Sequence, residues 1–412
     1  MKEIAVCLSG GFSGMPAHLG AMHTWCLSGL PPPGYICGSS AGNIAGSVAV
    51  QWHEPTFEDV GKMMVNLRKR QFASLNPRIR NQGILTILAT LGMLAPTQKI
   101  KNPLLRGTAT LGATGLALWM QKKFITDLLF HSESFLVYDN LLDLLSKLLD
   151  YDRIFDSKIK FEALAVNINK AGWTLDDILR DPPLYSGGWK NEGWVSRTNF
   201  RPEDVNLDKA TRNLRLTEGI VNSARIWTIF DPGKSDEGDF IVDTAAISNV
   251  PFHAAIREGY DKILLFYYNR RTEAPTDQII ESGLQVNFRT TDLLTAEITR
   301  KTIVGWYRVN NDLKELARQR ENLKKLEGEL YKIEVDSQGQ QAIRRFIREQ
   351  EDSYRKLSYF HKKIIQFLIV RSDPLPPINF SKFNSDAIVK TINLGAKAFQ
   401  DARPEIEKLS DC

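Results

Sequence analysis

Apolar residues in this chain follow two rhythms. Mostly apolar runs at Ile4–Leu8, Tyr35–Cys37, Lys160–Ile168, Phe240–Val242, Lys262–Tyr267 and Ile364–Val370 predict short strands, several of them buried on both faces. Elsewhere apolar positions recur by threes and fours, as at Leu19, Met22, His23 and Cys26 within Ala17–Leu27. That spacing, repeated in Asn140–Leu149 and Asn213–Arg225, predicts helices with one buried face. Asn43–Trp52 reads as a helix of small residues, and Arg197–Asn206 as loop. The order strand, glycine turn, helix, strand, sharp turn, helix opens an α/β fold. The expected architecture is a central, mainly parallel sheet with helices on both faces.

Two regions depart from that plan. Residues about 57–135 are helical in texture and predict a cap on the core. Within it, Gln82–Ala95 and Pro103–Met120 are apolar and flanked by Arg78, Arg80, Lys99, Lys101, Lys122 and Lys123. They suit a membrane surface or a lid over a site. Past residue 290, Leu313, Leu316, Leu323, Leu326, Leu330 and Ile333 recur among many charges. Asp336-Ser337-Gln338-Gly339 interrupts them, predicting a charged helical hairpin over about 305–362. It reads as a solvated pair packed on the core, with a partner-binding coiled coil as the sharper alternative. The expected division is a core from 4 to 256 and a C-terminal part, 257–412, that completes it. Trp173, Trp189 and Trp194 either line a groove or anchor a loop.

Composition narrows the class. The 412 residues are 43% hydrophobic and 25% charged, which is ordinary globular usage. A net charge of +5 selects neither an anionic membrane nor a polynucleotide, and no nucleic-acid partner is expected. Cys7, Cys26, Cys37 and Cys412 form no CxxC pair, so neither a zinc site nor a disulfide framework is expected. The first apolar run is too short for a secretory signal, and no run reaches the ~20 residues of a membrane span. A cytoplasmic location with peripheral membrane contact fits these features.

The chemistry concentrates at Gly38-Ser39-Ser40-Ala41-Gly42, which has the G-x-S-x-G form between a strand and a helix. Small neighbours allow the backbone to turn sharply and expose the Ser40 hydroxyl. The helix N-terminus then favours a developing anion. Upstream, Gly10-Gly11-Phe12-Ser13-Gly14 follows the first strand and can aim backbone N–H groups at one point. An oxyanion hole and a phosphate cradle both fit, but no Lys-Ser/Thr follows as a P-loop requires. A serine nucleophile also needs a base. The order Ser40, Asp243, His253 permits a triad, and an aspartate acting directly on the serine is the other choice.

Together these motifs resemble the patatin-like phospholipases, whose pattern is a G-G-G-x-[RK]-G loop, a G-x-S-x-G elbow and a distant D-G-[GA] followed by Asn-x-Pro. Here the loop is Ser9–Gly14, the elbow Gly38–Gly42, and the distant element Asp243-Thr244-Ala245 leading to Asn249-Val250-Pro251. Leu216–Pro232 and Ile365–Ser381 also resemble family segments, so the likeness spans most of the chain in order. It implies a three-layer α/β/α fold and a Ser40–Asp243 dyad. It further implies oxyanion donors at Gly10 and Gly11, with Gly14, Gly38, Gly42, Asn249 and Pro251 as supporting motif residues. The implied reaction is hydrolysis of phospholipid or other acyl-ester lipids through an acyl-enzyme, without metal or cofactor.

Three positions leave the family pattern. Ser9 stands for the first glycine, Ser13 for the basic residue, and Thr244 for the glycine after the aspartate. Ser9 and Thr244 carry side chains where the family keeps the backbone close and unhindered, and Ser13 removes a charge near the reacting centre. They open a second reading, a catalytically silent lipid- or partner-binding protein on the same fold.

Overall fold

The computed structural model describes residues 3–11, 14–66, 74–75, 136–137, 139–170, 194–199, 206–226, 232–235, 237–246, 248–268, 283–330, 337–355, 363–373, 375–376 and 384–411. Its centre is an eight-stranded mixed sheet. Five strands run parallel in the spatial order β10 (Gln366–Val370), β9 (Lys262–Phe266), β1 (Ala5–Leu8), β2 (Tyr35–Gly38) and β5 (Lys160–Asn167). Three strands joined by antiparallel pairing complete it. These are β6 (Trp194–Thr198) and β8 (Phe240–Asp243), both paired with β5, and β7 (Gly233–Lys234), paired with β8. A separate two-residue pair joins β3 (Ser74–Leu75) to β4 (Leu136–Val137). The mainly parallel sheet flanked by helices is the expected class.

Alternation along the strands sends side chains to two cores. Val6, Leu8, Ile36, Phe161, Leu264 and Phe266 fill one side. There they meet α1 (Met15–Leu27), α2 (Ala41–Ala49), α3 (Glu54–Asn66), α4 (Asp139–Leu148), α5 (Tyr151–Asp156) and α6 (Lys209–Asn222). Ala5, Cys7, Tyr35, Cys37, Leu164 and Leu265 fill the other, against α7 (Phe252–Arg257) and the long α8 (Gly283–Leu330). Phe252 stacks on Phe367, and Tyr307 of α8 meets that ring edge-on. The Asn310 amide bonds both the N–H and the carbonyl of Ile365, fixing α8 to the entrance of β10.

The charged hairpin is present as α8 and α9 (Ser337–Arg355), but α8 starts at Gly283, well before the expected boundary. Its exposed i,i+3 and i,i+4 ion pairs, such as Arg300–Glu297 and Lys325–Glu321, contribute only tenths of a kcal/mol each. Two further expectations change. Arg197 and Thr198 belong to β6, not to a loop. The C-terminal α10 (Ser385–Asp411) is a major packing element that the sequence reading did not single out. It crosses α1 at backbone contact: a Cβ on Gly20 would stand 2.0 Å from the Ile392 carbonyl, and one on Gly395 2.0 Å from that of Ala17. Trp25 seals the crossing by stacking on Phe399.

The cap segments Gln82–Ala95 and Pro103–Met120 lie outside the described residues, as do Ser13, Trp173 and Trp189. No described helix is long and apolar enough to cross a membrane.

Candidate active site

Sheet register brings Ser40 and Asp243 together. On one edge of β5, β6 pairs with Glu162 through Val166. The other edge is shared: β2 pairs with Lys160 through Ala163, and β8 with Ala165 through Asn167. β8 therefore descends end-on toward the tip of β2. Gly38 ends β2 opposite Ala163, and Asp243 ends β8 opposite Ala165. The two strand ends deliver the elbow and the aspartate to one place on the α2 side of the sheet.

The elbow is held by local contacts. Asn43, on the first turn of α2, accepts the Gly38 N–H at 3.0 Å through Oδ1. A Cβ on Gly38 would lie 2.5 Å from the Asn43 nitrogen, and one on Gly42 2.5 Å from the Leu8 carbonyl. Only hydrogen atoms fit at either point. Ser40 itself adopts φ 53° and ψ −126°, a conformation costing roughly 1–3 kcal/mol for an L residue. It sits immediately before α2 and is 7% exposed. The N–H of Ala41 donates to no described residue.

Asp243 is fully buried. Burial pushes its carboxyl up to about 7, against the lowering effect of the Ser40 hydroxyl and the Ala245 N–H. The Ala245 N–H donates to Oδ1 at 2.7 Å. Oδ2 has no donor at hydrogen-bonding geometry, so the contact with Ser40 is a close approach that is not yet a well-aligned bond. Such slack is common in catalytic pairs before substrate binds. A half-protonated carboxyl near neutrality is suited to receive a proton from a serine.

The glycine loop lies directly over the elbow. Ser9 donates its N–H to the Phe266 carbonyl, and its own carbonyl accepts from His18 Nε2 at 2.9 Å. Because that carbonyl can only accept, His18 carries its proton on Nε2. Burial, opposed by this hydrogen bond, lowers the ring to about 4, so it stays neutral near pH 7. Gly11 takes φ 118°, a conformation that favours glycine. Its carbonyl accepts the Gly14 N–H, and its own N–H donates to no described residue. Gly10 behaves differently: its N–H donates to the Asn249 carbonyl at 3.2 Å. This bond takes one of the two expected loop donors. Pro251 precedes α7, and its carbonyl receives the Cys37 thiol at 3.7 Å.

Two departures from the family pattern are absorbed by the fold. The Ser9 hydroxyl accepts the Tyr268 N–H at 3.3 Å. The Thr244 hydroxyl donates to the Leu164 carbonyl of β5. Each is taken up by a strand or loop carbonyl or amide. His253 belongs to another neighbourhood: the charges acting on it are Arg257 and Glu162, while Asp243 feels the neutral donors Ser40 and the Ala245 N–H. Burial and Arg257 bring its ring down to about 3. Asn43 and His18 support the site from outside its motifs. Neither belongs to a motif pattern, although both lie within a turn or so of one.

A family model described as patatin-like phospholipase matches residues 6–256, a span that holds the elbow, the glycine loop and Asp243. Among solved structures, VipD from Legionella pneumophila aligns at 13% identity and a TM-score of 0.33, covering 97% of this chain and 67% of that one. No curated protein matches.

Proposed function

The chain belongs to the patatin-like phospholipase family, and from that premise we propose that it hydrolyses fatty acyl esters of phospholipids or related lipids, with Ser40 as nucleophile and Asp243 as base. The observation that carries this reading is a serine in a strained turn, set against a buried carboxyl whose pKa stands at about 7. Ser40 Oγ bonds to the ester carbonyl carbon while its proton passes to Asp243. The tetrahedral intermediate collapses, and the leaving alcohol takes that proton. Water, deprotonated by Asp243, then attacks the acyl-serine, and the second intermediate collapses to the fatty acid as Asp243 returns the proton to the departing Ser40 Oγ. Among the described residues no acceptor takes the Gly11 and Ala41 N–H groups, which leaves them to meet the oxyanion.

An aliphatic cavity supports an acyl substrate. Met15, Ile44, Val48, Val60, Met64 and Leu145 are among its linings, and all of its linings are aliphatic. Ile44 and Val48 lie one and two turns after Ser40, on the same stripe of α2. Met15 directly follows Gly14 of the loop. The cavity is narrow, about 20 Å³, but methionine side chains repack readily around an unbranched chain.

The test is release of fatty acid from phospholipid vesicles and from nitrophenyl esters of graded chain length. Ser40→Ala and Asp243→Asn should each lower kcat/KM by on the order of 10³ or more. A folded wild type that is inert on every ester would refute the reading and favour the silent binding protein.

A further inference from the structure

One polar side chain beside Ser40 has no partner. Asn249 is fully buried, and neither its Nδ2 nor its Oδ1 makes a hydrogen bond. A primary amide has two N–H donors and two acceptor lone pairs. Native proteins rarely bury one unpaired, because the lost bonds are costly.

The surroundings show where this amide points. Oδ1 lies 2.3 Å from the position a Cβ on Gly10 would occupy. Ser39 Oγ and Ser40 Cβ are each 3.2 Å from that same position. The amide therefore packs on the side of Gly10 that looks toward the nucleophile, which is why that position must be glycine. Ser39 Oγ and Asp243 Oδ2 are likewise buried and unpartnered. The unsatisfied polar atoms near Ser40 thus come from two stretches of chain, the elbow and residues 243–249, that meet only in the fold.

The main chain of Asn249 explains why a side-chain donor is needed. Its carbonyl takes the Gly10 N–H, which turns that group away from the reacting carbonyl. We propose that the Asn249 side-chain amide takes over this role and donates an Nδ2 hydrogen bond to the ester oxygen as it becomes an oxyanion, beside the Gly11 and Ala41 N–H groups. No partner fixes the orientation of the amide, so a half-turn about its terminal bond presents Nδ2. A donor left unpaired before reaction and paired in the tetrahedral state strengthens binding only where the barrier lies. This inference rests on Ser40 being the nucleophile.

The experiment compares wild type, Asn249→Leu and Asn249→Asp. It reads kcat and KM on a short-chain nitrophenyl ester, Tm, labelling of Ser40 by an alkyl fluorophosphonate, and affinity for an alkyl trifluoromethyl ketone, which forms a tetrahedral adduct. Leucine is close in volume and removes both unpaired polar atoms. The expected result is a fall in kcat of roughly 10²–10³-fold, KM within about threefold, and a Tm equal to or above that of wild type. Ketone affinity should fall by the same factor as kcat/KM. Aspartate should lower kcat further, because its carboxylate repels the oxyanion. If Asn249→Leu does not fold, Asn249→Ser is judged by the same criteria. A kcat within about threefold of wild type would overturn the assignment. So would a loss of kcat that merely follows a loss of Tm, the mark of a packing role. If wild type itself is neither labelled at Ser40 nor active, the hydrolase reading falls and this one with it. Labelled, active wild type beside an equally active leucine variant sinks only the role of Asn249.

Discussion

Two buried carboxylates lie on opposite faces of the sheet around β5, and they have opposite character. Glu162 is 2% exposed and Asp243 is 0% exposed, so burial does not separate them. Burial pushes Glu162 up, but the Arg257 charge and hydrogen bonds from Ser196, Tyr35 and Arg257 outweigh it and hold the carboxyl below its ordinary range. Asp243 has only the Ala245 N–H and the nearby Ser40 hydroxyl, and burial wins. The difference lies in the partners. A carboxylate surrounded by donors and a cation is a structural anchor. One left short of partners retains a proton near neutral pH and is ready to exchange it.

Removing each charge in turn separates the two carboxyls when activity and stability are read together. Asp243→Asn should abolish turnover, a loss on the order of 10³ or more in kcat/KM. At pH 8 it should also raise Tm, because it removes a poorly solvated charge. Glu162→Ala should do the reverse. It leaves Arg257 without its main partner and should destabilise by about 2–3 kcal/mol, less than for a fully buried pair because the arginine side chain is 37% exposed. Activity per folded molecule should stay within about threefold. A Glu162→Ala variant that folds normally but loses turnover would erase the distinction.

The pH responses should run in opposite directions. The folded pKa of Asp243 is raised, so the stability linked to it is present below the ordinary carboxylate value of about 4 and is lost as pH rises through about 7. Melting curves from pH 4 to 8 should therefore show Asp243→Asn gaining on wild type as pH rises. The folded pKa of Glu162 is lowered, so its contribution is present above the ordinary range and is lost on acidification below it. kcat/KM should increase with pH through about 7 as Asp243 becomes the free base. A flat profile across that window would mean the carboxyl is not the base. The smallest effect concerns the backbone. Ser40→Gly removes the side-chain penalty at φ 53° and should stabilise by about 1 kcal/mol while eliminating activity; denaturant titration would detect it.

Much of the site is legible in the chain because its parts are local. A glycine pair after an apolar run, or a serine between small residues at a strand-to-helix turn, is written within five or six residues. β1, β2, β9 and β10 are equally readable, since parallel strands covered on both faces appear as apolar runs. β6 escapes because Trp194–Thr198 is an antiparallel strand of mixed polarity. α10 escapes because its importance lies in Gly20 and Gly395, which allow two backbones to touch across more than 370 positions of sequence. The order Ser40, Asp243, His253 permits a triad, and only the fold shows that His253 has Arg257 and Glu162 as its charged neighbours.

Short-range sterics and hydrophobic periodicity act over a few residues, so the buried parallel strands, the elbow and the glycine turn are written in the chain itself. The tertiary structure sets β8 end-on to β2, buries Asp243 so that its carboxyl is pushed up to about 7, and packs the unpartnered Asn249 amide against Gly10 beside Ser40. Those properties arise from desolvation and hydrogen-bond competition among groups some 200 residues apart, and no local pattern of residues encodes them.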